Sequence, residues 1–416
     1  MEKSTRTQTR SPAPSETKDV LTEICREGAR KMLAAALEAE VDDFVGQFAE
    51  VRDEDGRRVV RRNGYAQERK LQTGLGDVEV RAPRVRDDRK GSEERVRFTS
   101  AVLPPYLRRT KAIEELLPWL YLKGISTGGF QDALTALLGP DAPGLSATQI
   151  VRLKAVWESE YETWTKRRLG HKRYVYVWAD GIYCNVRLGG GERSCILVVM
   201  GATADGDKEL LAVHDGVRES EISWKDVLLD LRERGMTAAP EIAVGDGALG
   251  FWKALRQVFP TTREQRCTVH KTANVLNKLP SSVQKDAKRR LHDIFLAPTH
   301  EEAENAFGVF GELFGAKYQR AVACLEKDRE ELLAFYDFPA EHWTHLRTTN
   351  PIESTFATVR LRTKRTKGAG SAKACLAMVF KLALAAQRNW RKLNAAKLLA
   401  DVITGVQFKD GIKVAA

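Results

Sequence analysis

The stretch Tyr174-Val-Tyr-Val-Trp-Ala-Asp180 alternates, is rich in aromatic and β-branched residues, and ends on a carboxylate. That pattern predicts a strand. Downstream, Cys195-Ile-Leu-Val-Val-Met200 is a continuous apolar strand, and Asp205-Gly206 marks a turn into a third, Glu209-Leu-Leu-Ala-Val213. Trp224, Val227, Leu228 and Leu231 then recur at helical spacing up to Gly235. Glu241-Ile-Ala-Val-Gly-Asp246 reads as another strand, and Leu249 to Val258 as another helix. Three strands, a helix, a strand and a helix is the order of a mixed α/β sheet. A tight turn makes the third strand antiparallel, whereas a helical crossover returns the next one parallel.

Upstream, residues 1–18 are rich in Ser, Thr, Pro and charge and predict a disordered tail. From Asp19 to Phe48, Leu21, Ile24, Met32, Leu33, Leu37, Val41, Phe44, Val45 and Phe48 recur at steps near three and four. That amphipathic helix needs a partner surface, in its own domain or a second subunit. Residues 55–100 are Gly- and Arg-rich, with Val78, Val80, Val85, Val96 and Phe98 suggesting short strands. Ile113 to Leu122 forms one helical face, ended by Gly124, and Phe130 to Leu138 a second. After the loop Gly139-Pro-Asp-Ala-Pro-Gly144, Ser146-Ala-Thr-Gln149 has capping-box spacing at a third helix start. Thr148, Gln149 and Arg152 near that start fit a helix-turn-helix DNA reader, and a generic helical bundle fits equally well. Residues 268–340 read as helices without a strand. A helix from Pro351 runs into the basic residues Arg360, Arg362, Lys364, Arg365 and Lys367, and a last one spans about Ala372 to Leu399.

A chain of 416 residues argues for two to four domains. With 43% hydrophobic residues it has enough apolar surface for real cores, which excludes a wholly disordered protein. No apolar run approaches the ~18 residues of a membrane span, and the N-terminus lacks a secretory signal. A soluble protein inside the cell is expected, with six scattered cysteines as reduced thiols. The net charge of +11 is uneven: between Arg57 and Lys111 stand 16 basic residues against 7 acidic ones, a local +9. Such a block points to nucleic acid, or else to a solvated basic surface.

Asp180 and Asp246 are each placed at the end of a strand, where ligands of open α/β sheets collect. Glu353 falls in the first turn of a helix, in Thr349-Asn-Pro-Ile-Glu353. Three carboxylates on one edge repel one another unless a cation neutralises them. Mg²⁺ and Mn²⁺ prefer such oxygen ligands, and two ions about 3.5–4 Å apart clamp an in-line phosphoryl displacement. Each residue also has a plainer explanation: strand-end turns at Asp180-Gly181 and Asp246-Gly247, and a helix cap at Asn350-Pro-Ile-Glu353. Periodicity leaves a nuclease, a transposase and a polynucleotide-binding domain open.

The segments Tyr176-Val-Trp-Ala-Asp-Gly-Ile-Tyr183, Val244-Gly-Asp-Gly-Ala-Leu-Gly250, Gln265-Arg-Cys-Thr-Val-His270 and Arg347-Thr-Thr-Asn-Pro-Ile-Glu353 resemble the signatures of the mutator-type insertion-sequence transposases. Arg62-Asn-Gly-Tyr65, Ala82-Pro-Arg84, Tyr121-Leu-Lys-Gly-Ile-Ser126, Glu219-Ser-Glu-Ile-Ser-Trp224 and Leu231-Arg-Glu-Arg-Gly235 extend the resemblance over about residues 20 to 400. It implies a ribonuclease-H-like core whose DDE triad falls on Asp180, Asp246 and Glu353, with Mg²⁺ (or Mn²⁺) as cofactor. The 107-residue step from Asp246 to Glu353 fits the family's all-helical insertion. The segment Ser354-Thr-Phe-Ala-Thr-Val-Arg360 departs from the family's wording. The expected layout is a tail (1–18), a helix and basic region (19–111), a helix-turn-helix-like domain (112–168), a first catalytic part (169–267), the insertion (268–345) and a second catalytic part (346–416).

The resemblance further implies double-stranded DNA as partner, namely terminal inverted repeats and target DNA, bound by a homodimer or higher homo-oligomer. Hydrolysis at the element end frees a 3′-hydroxyl, which attacks the target. Arg360, Arg362, Lys364, Arg365 and Lys367 would steady the DNA backbone, or form a solvated helix face. Cys267 and His270 form a pair that the family shares; it would support the active site, or recruit His292 and His300 to a zinc site. Trp343 would stack on an unpaired base, or pack in the core. The rivals are a metal-dependent nuclease that does not join strands and a DNA-binding protein with a silent core.

Overall fold

The structure, a computed structural model, describes residues 14–89, 95–122, 125, 132–135, 147–186, 193–216, 218–247, 249–365 and 371–414. The chain divides into two compact units, residues 1–150 and 151–416. In the first, the N-terminal helix is Pro14–Gly46, starting inside the stretch expected to be a tail. Strand β1 (Val60–Tyr65) pairs antiparallel with β4 (Pro83–Asp87), and β2 (Arg69–Thr73) with β3 (Gly76–Val80). Leu37 of the helix packs with Leu71, Val78, Val80 and Leu103, so the helix has a partner surface within its own unit. Val20, Leu21, Ile24 and Met32 remain exposed.

Val96 and Phe98, expected in strands, lie outside them. The Val96 N–H donates to the Asp87 carboxylate at 2.8 Å instead of to a ladder, and Phe98 packs on Phe44 at 5.1 Å. Several cations of the basic block are held internally: Arg61 and Arg86 by Asp88, Arg62 by Glu38, and Arg89 by Asp87. Arg84 and Arg97 are exposed. A helix spans Lys111–Leu122, and residues 132–135 are helical. The rest of the second helical face, the loop 139–144 and Ser146 lie outside the described residues.

Helix Ala147–Thr165 crosses the division at 150/151, which falls earlier than the boundary at 168/169 read from periodicity. Its C-terminal half packs on the second unit: the Tyr161 hydroxyl donates to the Val213 carbonyl at 2.8 Å, and Tyr161 and Trp164 meet Phe380.

The second unit is built on one sheet of order β7-β6-β5-β8-β9. Strand β5 (Tyr174–Asn185) is central; β6 (Arg193–Thr203) and β7 (Lys208–Gly216) follow antiparallel. β8 (Ile242–Gly245) and β9 (Arg263–Arg266) run parallel to β5. Gly206, at φ +81°, makes the turn between β6 and β7. Every side chain from Tyr174 to Asp180 is buried, because helices cover both faces. On one side Trp224, Val227 and Leu231 of helix Glu221–Glu233 and Phe251 and Leu255 of helix Leu249–Val258 pack onto Val177, Leu197, Leu211 and Ala243. Helix Asn350–Arg365 packs on β5, and helix Ala372–Gln387 on β6 and β7.

Two sequence expectations change here. Asp180 does not close its strand; β5 continues five residues beyond it, and only the parallel pairing stops at Ala179 opposite Gly245. The last long helix ends at Gln387, not near Leu399. The chain leaves it so that the Leu393 N–H can donate to the Gly206 carbonyl at 2.9 Å.

The helical segment after β9 carries helices Thr268–Leu276, Ser281–Phe295, His300–Gly315, Gln319–Glu326 and Arg329–Leu333. Leu291, Phe307, Phe310 and Leu325 are buried in it. Its ends are tied together, because the Thr268 N–H and hydroxyl both donate to the Arg347 carbonyl at 2.9 and 3.0 Å. No described helix is long and apolar enough to cross a membrane.

Candidate active site

The register of β5 against β8 brings Asp180 and Asp246 together. Ala179 pairs with Gly245, and each aspartate is the next residue. Asp180 is only 6% exposed. Its Oδ1 accepts the Gly181 N–H at 2.8 Å, whereas its Oδ2 is buried without a hydrogen-bond partner. Burial, with the Asp246 charge adding to it, pushes the Asp180 carboxyl up to about 7. The backbone of Asp246 is pinned: its carbonyl accepts from Trp252 Nε1 at 2.9 Å and from the Arg266 guanidinium at 2.6 Å.

Glu353 reaches this edge on the first turn of helix Asn350–Arg365. The helix starts at Asn350, so Thr349 is the residue before it. Thr349 is fully buried, and its hydroxyl donates to Glu353 Oε1 at 3.1 Å. Its N–H donates to Cys267 Sγ at 3.3 Å, and its hydroxyl lies 3.4 Å from that sulfur and from His270 Nδ1. Cys267 is itself fixed, since its N–H donates to the Gly245 carbonyl at 2.8 Å beyond the end of β9. Thus Thr349 joins the second and third carboxylate-bearing motifs through the cysteine.

His270 occupies the middle. Its Nε2 stands 3.5 Å from Glu353 Oε1. Hydrogen bonding to Cys267 pushes the His270 imidazole up to about 9, with Asp180 and Asp246 contributing in the same sense. For Cys267, burial raises the thiol, but hydrogen bonds from His270 and Thr349 outweigh it and hold the group below its ordinary value. Ligand atoms of Cys267, His270 and Glu353 lie within 4.8 Å of one another, the single such group among the described residues. His292 and His300 do not join it; both are exposed, and the His300 ring packs on Tyr336.

Glu219, in the loop before helix Glu221–Glu233, is a fourth carboxylate here that periodicity does not reveal. It is half-buried; burial, and next Asp246, push its carboxyl up.

Beside Asp246, starting at Gly247, opens a cleft of about 590 Å³ between helices Thr268–Leu276 and Gln319–Glu326. Its floor is a buried cluster in which Asp328 holds Arg266 at 3.2 Å and also Lys271. Its rim carries the exposed cations Lys278, Arg320 and Lys327.

Other expected site residues fall elsewhere. Trp343 is a core residue, 8% exposed: its Nε1 donates to the Phe338 carbonyl at 2.8 Å, and Phe335, Tyr336 and the Arg347 guanidinium cover its faces. That packing leaves no free face for a base. Arg362 is 3% exposed and does not present itself to solvent, whereas Arg360 is exposed. Lys364 and Arg365 belong to the same helix, and Lys367 lies outside the described residues. Thr148, Gln149 and Arg152 fall in the first turns of helix Ala147–Thr165, with Arg152 exposed.

Comparison with known proteins bears on the whole chain. The family described as "Transposase, Mutator family" matches residues 1–393. The transposase for insertion sequence element IS6120 of Mycolicibacterium smegmatis is 54% identical over 299 residues, covering 72% of this chain and 92% of that protein. The transposase for insertion sequence element IST2 of Acidithiobacillus ferrooxidans is 50% identical over 282 residues, covering 68% and 95%. Among solved structures, the Drosophila P element transposase strand transfer complex aligns over 76% of this chain and 87% of that one, at 10% identity and a TM-score of 0.30, too distant to carry an argument. A family match over nearly the whole chain, with relatives at half identity or more, places this chain in the Mutator family of transposases.

Proposed function

We propose that the second unit is a ribonuclease-H-like DDE core in which Asp180, Asp246 and Glu353 hold a divalent cation, Mg²⁺ or Mn²⁺, for DNA cleavage and strand transfer. The observation that carries this reading is the buried, unpartnered Oδ2 of Asp180 beside Asp246, where the parallel pairing of β5 and β8 stops. A buried carboxylate oxygen with no donor, next to a second carboxylate, fits a hard cation. The strand order β7-β6-β5-β8-β9, with a helical insertion before the helix that carries Glu353, supports the assignment of the core.

When bound, a divalent cation supplies Lewis acidity that lowers the pKa of an attacking hydroxyl and stabilises the leaving oxygen. The chain's own residues orient the site. Trp252 and Arg266 fix the Asp246 backbone, Thr349 fixes Glu353, and the charged His270 balances the carboxylates while its Nε2–H faces Glu353. Water attacks a phosphodiester at the element end and frees a 3′-hydroxyl, which then attacks a phosphodiester of the target. The protein forms no covalent bond to DNA in either step.

The exposed cations on the rim of the cleft beside Asp246 take backbone phosphates of the strand next to the cut, and Arg360 adds a positive charge on the helix of Glu353. The basic block of the first unit, with Thr148, Gln149 and Arg152 at the start of their helix, engages the terminal inverted repeats. Holding two element ends together calls for at least two copies of the chain, so a homo-oligomer is the working form.

A joining assay tests this reading. Pre-cut element ends carrying a 3′-hydroxyl should join a target plasmid in Mg²⁺, and the same ends carrying a 3′-deoxy terminus should not. Cutting without any joining of 3′-hydroxyl ends would leave a nuclease and remove the strand-transfer assignment.

A further inference from the structure

We propose that Glu219 is a fourth carboxylate of this cation site, a metal ligand beside Asp180 and Asp246. The inference rests on the DDE reading above and extends it to a residue outside the triad.

The geometry around Glu219 is built to admit it. A Cβ added at Gly181, the residue after Asp180, would lie 2.7 Å from both Cδ and Oε1 of Glu219. The carboxyl therefore fills the space that this glycine leaves over the central strand. On its other side, a Cβ at Gly250 would strike the Glu219 carbonyl and come 2.7 Å from the Glu221 N–H nitrogen. Two glycines from separate elements thus yield room to one residue, at its side chain and at its backbone. Neither has a positive φ, so close approach and not backbone conformation is what calls for glycine.

The charges acting on Glu219 are those of the site: Asp246 disfavours its charged form, while Tyr183 and His270 favour it. A half-buried carboxylate held against a second carboxylate, next to the unpartnered buried Oδ2 of Asp180, is the surrounding that a divalent cation satisfies. His270 acts on Asp180, Asp246 and Glu219 and stands 3.5 Å from Glu353. Of these, Glu353 already has its Oε1 near the imidazole and the Thr349 hydroxyl.

Glu219→Gln keeps the volume and removes the charge. Mn²⁺ titration of the DNA-free full-length protein by calorimetry should show binding weakened about 10–100-fold. The Mg²⁺ concentration for half-maximal cleavage should rise by a similar factor, with metal-free binding to element-end DNA unchanged. Gly181→Ala displaces the carboxyl without removing it and should shift both metal readouts in the same direction. Asp246→Asn serves as the reference. If Asp246→Asn weakens Mn²⁺ binding and Glu219→Gln does not, the Glu219 assignment fails and the triad stands. If Asp246→Asn binds Mn²⁺ as the unaltered protein does, the cation site itself fails and Glu219 with it. A fall in activity of Glu219→Gln at unchanged Mn²⁺ affinity and Mg²⁺ dependence would reduce Glu219 to packing, and overturns the proposal too.

Discussion

Asp180 and Asp246 are adjacent because the parallel pairing of β5 and β8 stops one residue before both, at Ala179 opposite Gly245. Their proximity is a property of backbone register, and it places two carboxylates at one sheet edge before any ligand is considered. The cost is visible in Asp180, which burial and the neighbouring charge push up to about 7.

The first prediction follows from that shift. The ordinary carboxyl value is 3.8, and the folded one is higher. Well below pH 3.8 both states are protonated and the site exacts no penalty. As pH rises toward 7, the unfolded chain ionises first and the metal-free fold is progressively destabilised. Asp180→Asn should therefore raise the melting temperature of metal-free protein at pH 8 by a few degrees, with the gain shrinking as pH falls toward 4. Mg²⁺ should raise the melting temperature of the unaltered protein more than that of the variant. Differential scanning calorimetry across pH checks it; an equal or lower melting temperature for the variant at pH 8 counts against the penalty.

Thr349 is a positioning residue for Glu353. Thr349→Val preserves shape and removes the hydroxyl that donates to Glu353 Oε1. Cleavage should slow about 10–100-fold with DNA affinity unchanged, and Thr349→Ser should recover most of the rate. If valine and serine slow cleavage alike, packing explains the effect and the hydrogen bond does not.

The cleft beside Asp246 predicts a salt signature. Replacing Arg320 and Lys327 by Gln should reduce the slope of log affinity against log salt by about 0.7–0.9 for each phosphate no longer neutralised. Filter binding at several salt concentrations reads it directly. An unchanged slope removes those two side chains from the DNA path.

Asp328 holds Lys271 and Arg266 at the junction between the sheet and the insertion. Burial raises its carboxyl, but those two cations outweigh burial and hold it below its ordinary value. Its contribution to stability is therefore present above that ordinary value and lost as pH falls through the lower folded one. Asp328→Ala strands two buried cations and should destabilise the fold by about 3–5 kcal/mol in urea unfolding at pH 7. A loss below about 1 kcal/mol would mean that water already compensates the cluster.

How much of this was legible in the sequence depends on whether local pattern or distant contact sets each feature. The alternation from Tyr174 and the apolar run from Cys195 announce β5 and β6, since burial on both faces writes itself into composition. Strand β9, Arg263-Glu-Gln-Arg266, gives no such signal. It lies at the sheet edge, and its buried Gln265 is satisfied by the Leu332 carbonyl and the Phe335 N–H, about seventy residues away. Asp246 and Glu353 stand out as carboxylates at element ends, and Asp180 as the charge that follows an apolar alternation, although its strand runs on past it. Thr349 and Glu219 do not, because their importance lies in what they touch. Gly181 and Gly250 yield room to Glu219, which only the folded chain shows. Trp343 and Arg362 show the opposite failure: an aromatic and a cation near the site in sequence, drawn into the core by tertiary packing.

The most direct test compares the unaltered protein with Asp246→Asn on DNA carrying the element's own ends, with Mg²⁺ and a target plasmid. The unaltered protein should cleave and join, and the variant should bind the same DNA without either reaction. Equal cleavage and joining by the two proteins would contradict the DDE reading.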